Sequence, residues 1–201
     1  MRIRTHTNPL NFHQEIIPSN YNDIIEKLPS RIDVEIGFGR GVFIRNYAKQ
    51  HTNRTILGIE VRKQMVALLQ ERLTANAITN AHLIWGNGEH IINGLIQPQQ
   101  IENLFIFHPD PWFKKKHHKR RVITDQFISI IKEKLAPNGS IHISTDVSEL
   151  FDDMCEKLAS ADWLIPKYNH PFWTNSYQTH WDSFSERDNR KTHAATYMVQ
   201  T

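Results

Sequence analysis

The sequence has 201 residues, 39% of them hydrophobic, which suits one domain whose core needs neither disulfides nor structural metal. One cysteine, Cys155, excludes an internal disulfide, and no apolar run approaches the ~20 residues that span a bilayer, so we expect a cytoplasmic protein without membrane contact. The net charge is +3, but Lys114–Arg121 holds six of the 24 lysines and arginines, and the remaining residues carry −3. Such concentrated charge indicates a polyanionic partner, with nucleic acid favoured over a membrane surface.

Short strands alternate with amphipathic helices along most of the chain. We expect residues 1–30 to form a polar, partly mobile arm, and residues 31–201 to form a single domain. The predicted strands are 32–36, 55–59, 81–85, 103–107, 141–144 and 195–199. The predicted helices are 42–49, 62–76, one from Thr124 to a stop at Pro137-Asn138-Gly139, and one through Leu150, Met154 and Leu158.

This order predicts an α/β fold with a mostly parallel sheet and helices on both faces. In such sheets ligands bind beyond the carboxyl ends of the strands. Functional side chains should therefore directly follow a predicted strand, which gives an independent criterion for the candidates below.

A glycine-rich turn, EIGFGRG, follows the first strand. Gly37, Gly39 and Gly41 allow the backbone to turn sharply and to approach a ligand closely. The G-x-G-x-G spacing differs from the dinucleotide fingerprint G-x-G-x-x-G. Glu35 would repel a pyrophosphate but would suit a ligand with an amino group and a sulfonium, so S-adenosyl-L-methionine is favoured over a nicotinamide.

Two further polar residues follow the next two strands. Glu60 ends the second strand, where an ionised carboxylate can accept hydrogen bonds from both ribose hydroxyls. Asn87, after the third strand, offers an amide to an adenine edge. Each of these residues is weak evidence alone, because a glycine turn and a surface acid are common; together they predict a site for a nucleoside-type cofactor.

The stretch HPDPW follows the fourth strand and precedes the run of basic residues. Pro109 and Pro111 stiffen the loop around Asp110, and a stiff loop can orient a side chain for group transfer. A proline turn with a solvated aspartate is the alternative. Trp112 and Phe113 could stack on a splayed-out base or pack against the sheet.

Together these motifs resemble the tRNA (guanine-N7-)-methyltransferase family. The resemblance rests on E-I-G-F-G-R-G, G-I-E-V-R, F-H-P-D-P-W-F-K-K-K-H-H-K-R-R-V and S-T-D, in this order. It implies a class I methyltransferase fold, with a seven-stranded sheet whose last strand is antiparallel. It also implies transfer of a methyl group from S-adenosyl-L-methionine to N7 of guanine 46 in the variable loop of tRNA.

The resemblance also assigns roles to individual residues. Cofactor contacts fall on Glu35, Glu60, Asn87 and Asp110, and Asp110 is also the catalytic residue. Substrate contacts fall on Lys114 and Asp146, although Asp146 could instead cap the helix that follows it. The positions that contact RNA are Lys116, His117, His118, Lys119, Arg120 and Arg121. In the family, a T-x-F/Y-E motif near the C-terminus closes on the substrate. Its nearest match here is Ser183-Phe184-Ser185-Glu186, which makes Ser183 and Glu186 substrate candidates. Asn189 stands at a position where a glycine is common.

Three other functions fit these residues less well. An exocyclic-amine methyltransferase would carry a second proline after the acid, whereas here Trp112 follows Pro111. A non-catalytic RNA-binding protein on a methyltransferase scaffold is disfavoured by the intact acids and glycines, and a dehydrogenase by the glycine spacing. The histidines show no metal-site spacing, so no metal is expected, and the oligomeric state stays open between monomer and homodimer.

Overall fold

The computed structural model of the chain describes residues 21–175, 179–180, 185, 187–188 and 190–200. Within these residues, seven strands form one sheet in the order β3-β2-β1-β4-β5-β7-β6. The strands are β1 Ile32–Ile36, β2 Ile56–Glu60, β3 Ala81–Trp85, β4 Ile101–Phe107, β5 Leu135–Thr145, β6 Leu164–Pro166 and β7 His193–Val199. Neighbouring pairs from β3 to β5 are parallel, whereas β7 is antiparallel to both β5 and β6. The prediction of a mostly parallel sheet with an antiparallel last strand is confirmed.

Helices cover both faces of this sheet. They are α1 Tyr21–Ile25, α2 Val42–Gln50, α3 Lys63–Ala75, α4 Gly88–Leu95, α5 Asp125–Lys134, α6 Ser148–Ala159 and α7 Phe172–Asn175, with a 3-10 helix at Lys115–Arg120. On one face, α2 and α3 bury residues such as Phe43 and Leu69; on the other, α4, α5 and α6 bury residues such as Phe127. The apolar stripes of α2 to α6 meet the sheet, as their 3.6-residue period predicts.

The structure differs from the sequence prediction around α5. Thr124 caps the helix as predicted, and its Oγ1 accepts a hydrogen bond from the backbone N–H of Phe127 at 3.1 Å. The helix ends at Lys134, however, and β5 begins at once and includes the segment predicted to be a stop. Asn138 has φ +61°, and the pairing of β4 with β5 shifts register there. The turn residues therefore form an irregularity within a strand.

Five other elements were not predicted: α1, α4, α7, β6 and the 3-10 helix. Within the predicted arm of residues 1–30, the structure describes residues 21–30, and Tyr21 and Leu28 there pack against the core; residues 1–20 lie outside the described residues. In the described part of the chain, no helix has the length and apolar character needed to span a membrane. Nor do His, Cys, Asp and Glu side chains among these residues cluster in a way that could hold a metal ion.

Candidate active site

The glycine-rich turn joins β1 to α2 through three residues with positive φ. Gly37, Gly39 and Gly41 have φ of +74°, +56° and +69°, a region that side chains with a Cβ rarely adopt. The N–H of Gly37 donates to the carbonyl of Ile59 at 2.7 Å, which fixes the turn against the end of β2. The predicted need for glycine is thus explained by the backbone conformation.

Gly41 carries a second constraint, because a Cβ there would lie 2.4 Å from a methyl carbon of the buried Leu69. At Gly37 a Cβ would meet no atom within 4 Å. We therefore expect Gly41→Ala to lower the free energy of unfolding by about 1–3 kcal/mol more than Gly37→Ala, since both variants share the φ strain and the first also overpacks the core. Urea unfolding of both cofactor-free variants measures the difference, and equal losses would contradict it.

Glu60 ends β2 as a buried carboxylate with four donors around it. Its Oε2 accepts from the N–H of Gly39 and from Nη2 of Arg62, both at 2.9 Å. Its Oε1 accepts from the backbone N–H and Nε of Arg62, both at 3.0 Å. A carboxylate offers about four lone-pair positions. Ribose hydroxyls would therefore bind Glu60 in exchange for Arg62, whose side chain is 42% exposed and can move.

Glu35, near the end of β1, is a buried acid whose hydrogen-bonding capacity is only partly satisfied. Its residue is 3% exposed, and its Oε2 has no hydrogen-bond partner among the residues that the structure describes. Burial, followed by the charge of Glu60, raises the pKa of Glu35 to about 8. The carboxyl group is consequently protonated at neutral pH until a positive charge arrives, and an amino or sulfonium group is a charge of that kind.

Asn87 has a local structural role that the sequence analysis did not predict. It is the N-cap of α4, and its Oδ1 accepts hydrogen bonds from the backbone N–H groups of Glu89 at 2.8 Å and His90 at 3.3 Å. The cap holds the start of α4 at the sheet edge. With its oxygen engaged, Asn87 would offer the amide nitrogen to an adenine.

Asp110 lies in a loop whose backbone is held on both sides. His108 and Trp112 both have φ +46°, and the N–H of His108 donates to the carbonyl of Ser144 at 2.7 Å. The negative charge of Asp110 contributes to the raised pKa of Arg62, after the larger effect of Glu60. Glu60, at the end of β2, and Asp110, after β4, therefore both interact with the charge of Arg62.

A cleft of about 400 Å³ brings these residues together at the carboxyl ends of the parallel strands. Its walls include the predicted Glu35, Gly37, Gly39, Glu60, Asn87 and Asp110, whereas Gly41 is packed against Leu69 beneath the turn. Several other lining residues were not predicted from the sequence: Arg62, Met65, Glu89, Thr124, Thr179 and His180. Arg62 could have been predicted, because it lies two residues after Glu60 in the sequence. Nothing in the sequence indicated that Thr179 and His180 line the cleft.

The basic segment Lys114–Arg121 forms one rim of the same cleft. Lys114, Lys115, Lys116 and Lys119 are exposed, and Lys119 also lines the cleft. The guanidinium of Arg120 lies over the ring of Trp112, 4.8 Å from its centroid, and its Nε is buried with no hydrogen-bond partner in the described part of the chain. Phe113 is 62% exposed between Trp112 and the lysines. The lysines, Arg120 and Phe113 can therefore face a large anionic ligand.

Arg121 does not fit the predicted contact with RNA. Its side chain is 3% exposed, its Nε donates to the carbonyl of Pro111 at 3.0 Å, and its Nη atoms pair with Glu149 at 3.1 Å and Asp153 at 3.2 Å. Two acids of α6 thus hold this guanidinium inside the fold. Arg121 fastens the segment to α6 and supports the backbone after Asp110.

Of the two predicted roles of Asp146, the structure contradicts helix capping, and the contact with substrate stays a prediction. Asp146 does not cap α6; instead the N–H of Val147 donates to Oγ1 of Thr145 at 3.2 Å. The side chain of Asp146 is 0% exposed and pairs with His108 and Arg190. Ser183, Glu186 and Asn189 lie outside the described residues.

Comparisons with known proteins agree on one family. A family model described as "Putative methyltransferase" matches residues 30–200. A tRNA (guanine-N(7)-)-methyltransferase of Prochlorococcus marinus (strain MIT 9215) is 33% identical over 203 residues, covering 90% of this chain and 92% of the relative. A second, from Thermosynechococcus vestitus (strain NIES-2133 / IAM M-273 / BP-1), is 30% identical over 174 residues and covers 82% of each protein.

Solved structures show the same fold at lower identity. The 16S rRNA methyltransferase KamB matches with a TM-score of 0.64 and 13% identity, covering 93% of this chain and 95% of that chain. At this identity the likeness shows the fold alone. It confirms the prediction of a class I methyltransferase fold.

Proposed function

The chain belongs to the tRNA (guanine-N(7)-)-methyltransferase family, and on that premise we propose that it methylates N7 of guanine 46 in the variable loop of tRNA. The observation that carries the proposal is the single cleft that Glu35, Glu60, Asp110 and Arg120 share. It places acids suited to a cationic nucleoside beside cations suited to an RNA backbone. A tRNA substrate also agrees with the expected cytoplasmic location.

The described residues fit S-adenosyl-L-methionine, which supplies the methyl group on a sulfonium. Glu35, buried with an oxygen that has no partner among the described residues, is suited to the cationic end of this molecule. Glu60 would hold the ribose hydroxyls, with Arg62 giving way, and Asn87 would contact the adenine. The positive φ of Gly37 and Gly39 allows the backbone itself to form the wall between these contacts.

Asp110 is the residue that we assign to the chemistry. Guanine N7 has an in-plane lone pair and no proton at neutral pH, so attack needs no general base. The purine gains positive charge as the bond forms, and a fixed carboxylate stabilises that charge. Asp110 can also accept hydrogen bonds from the N1 and N2 hydrogens of guanine, which would orient the base.

The tRNA would be bound chiefly by the exposed part of the basic segment. Lysine and arginine contacts with phosphate supply affinity with little sequence information, so we assign Lys114, Lys116, Lys119 and Arg120 to the RNA backbone. His117 and His118 belong to the same segment and add charge only when protonated. Phe113, exposed among these cations, is the aromatic best placed to stack on an unpaired base.

The test of the proposed function is transfer of a labelled methyl group from S-adenosyl-L-methionine to unmodified tRNA. One tRNA keeps the guanine of the variable loop, and a matched tRNA carries another base there. We expect label only on the first. Label on both tRNAs would mean that the enzyme methylates a different position. Tight tRNA binding without any label would favour the non-catalytic RNA-binding alternative.

The salt dependence of tRNA binding tests the basic rim. We expect the double variant Lys119→Ala, Arg120→Ala to flatten the slope of log K against log salt by about 1.5, because each lost phosphate contact removes about 0.7–0.9. The control is Lys27→Ala, Lys132→Ala, which removes the same charge from exposed residues outside the cleft. Equal slopes for the two variants would place the rim away from the RNA.

A further inference from the structure

A second group of cations lies on α2, on α3 and in the turns before these helices. Residues 38–76 hold seven of the lysines and arginines but only two acids, Glu60 and Glu71, and therefore carry +5. Since the whole chain carries +3 and Lys114–Arg121 carries +6, the residues outside these two stretches carry −8. The protein thus concentrates its positive charge in two places, of which the basic segment is only one.

Two of these seven cations are paired with acids, and five are not. Arg54 pairs with Asp33 and with Glu102, both at 2.6 Å, and Arg62 pairs with Glu60 at 2.9 Å. Within the described part of the chain, the other five form no ion pair with an acid: Arg40, Arg45, Lys49, Lys63 and Arg72. Their charge is therefore available to a ligand.

A row of hydrogen bonds to neutral groups joins three of these cations to the cleft. Arg40, in the glycine-rich turn, lines the cleft, and its carbonyl accepts from Nη1 of Arg72 at 3.2 Å. Asn76, the C-cap of α3, donates from Nδ2 to the carbonyl of Arg72 at 2.8 Å, and its Oδ1 accepts from Nζ of Lys49 at 3.0 Å. Because carbonyl and amide oxygens are neutral, these contacts hold the cations in place without neutralising them.

On α2, these cations are placed at a local cost in stability. Arg45 and Lys49 are four residues apart on this helix, and like charges at that spacing destabilise a helix. α2 contains no acid that could offset the repulsion. A bound polyanion would remove it, so the arrangement becomes favourable only with an anionic ligand in place.

On the other face of the sheet, α6 has the opposite charge. Asp152 and Glu156 are exposed there, and Glu149 and Asp153 pair with Arg121. Fields of opposite sign on the two faces attract a polyanion to one of them and repel it from the other. An RNA that extends beyond the cleft is therefore directed along α2 and α3.

We propose that a second track for the phosphates of tRNA runs along α2 and α3, formed by Arg40, Arg45, Lys49 and Arg72. α2 is nine residues long, so the track extends about 13 Å from the glycine-rich turn. Phosphates at that distance do not belong to the target nucleotide, so the track adds affinity for the folded tRNA and carries no sequence information. The inference rests on the proposed function for the identity of this ligand.

The salt dependence of tRNA binding measures the track without requiring methyl transfer. Lys49→Gln combined with Arg72→Gln removes both charges and keeps an amide that can donate to the same neutral oxygens. We expect the slope of log K against log salt to flatten by about 1.5, because each lost phosphate contact removes about 0.7–0.9. Between roughly 50 and 200 mM salt, the affinity of the parent should therefore fall about eightfold more than that of the variant. Neither residue lines the cleft, so the loss should appear in KM for tRNA rather than in kcat.

Two control variants separate the charge of the track from hydrogen bonding and from net charge. Lys49→Arg combined with Arg72→Lys keeps both charges and should keep the slope of the parent. Lys27→Gln combined with Lys132→Gln removes the same charge from exposed residues outside α2 and α3, and should change the slope little. The Tm of each variant is compared with that of the parent, because Lys49 and Arg72 also lie in the last turns of their helices, where a cation is favourable.

The outcomes separate this inference from the proposed function. Equal slopes for the Lys49→Gln, Arg72→Gln variant and for the Lys27→Gln, Lys132→Gln control would overturn the track. A loss of affinity for S-adenosyl-L-methionine with an unchanged slope would also overturn it, and would make Arg72 a support of the glycine-rich turn. A parent that binds tRNA without methylating it would refute the proposed function, whereas the slopes would still decide whether the track exists.

Discussion

Replacing Asp110 with alanine should lower kcat for methyl transfer by about 10²- to 10³-fold, the usual cost of removing one electrostatic group from a reacting centre. The side chain is half-buried in the cleft, in a loop held through His108 and through the carbonyl of Pro111. Its charge would act mainly as the purine becomes positive. The loss should therefore fall on kcat, with the Kd for tRNA within about threefold.

Asp110→Asn separates the charge of the group from its shape. The amide keeps the size of the side chain but loses the negative charge and one acceptor, so we expect a loss close to that of alanine. Asp152→Asn, an exposed aspartate on α6, provides the control for net charge. The measurements are kcat at saturating substrate and the Kd for tRNA of each variant. An equal kcat in the parent and in Asp110→Ala would refute the catalytic assignment.

The affinity for S-adenosyl-L-methionine should rise about 50- to 100-fold between pH 5.5 and 7.5, because Glu35 must lose its proton to pair with the cationic ligand. The pKa of this buried carboxyl is raised to about 8, so its ionised fraction grows about tenfold per pH unit across this range. Above it, the ligand's own α-amino group, with an ordinary pKa near ~7.7–8.0, begins to lose its charge. Calorimetry in buffers of different ionisation enthalpy should show proton release on binding.

Glu35→Gln removes the titration and should flatten this pH dependence while weakening binding at pH 7.5. S-adenosylhomocysteine keeps the amino group but lacks the sulfonium, so its pH slope identifies which cation Glu35 pairs with. A slope equal to that of S-adenosyl-L-methionine indicates the amino group. A slope of the same size in Glu35→Gln would remove Glu35 from this role.

The same raised pKa has a consequence for the cofactor-free protein. In the window from about 4.5 to 8 the folded state binds more protons than the unfolded chain, so stability falls as pH rises through it. Glu35→Gln should therefore raise Tm more at pH 8 than at pH 5. The acid costs stability in the free protein and becomes favourable only when a cation is bound, as is usual for groups placed for function.

Much of the fold could be predicted because local patterns encode it. The 3.6-residue period of α3 and the apolar runs of β1 and β4 are properties of neighbouring residues, and the glycines of the turn report a backbone conformation. The functional acids could also be located, since each lies at or just beyond the carboxyl end of a parallel strand, and these ends share one edge of the sheet. The elements without a local signature, such as the short β6, were missed.

The tertiary structure alone decided which charges are exposed and which are paired. In the sequence Arg120 and Arg121 are equivalent members of one basic run, yet Arg120 lies over Trp112 at the cleft and Arg121 is buried between Glu149 and Asp153. The same holds for Asp146, whose partners His108 and Arg190 come from distant segments. A residue's type and spacing determine what it can bind, but the burial of a charge depends on partners that only packing brings together.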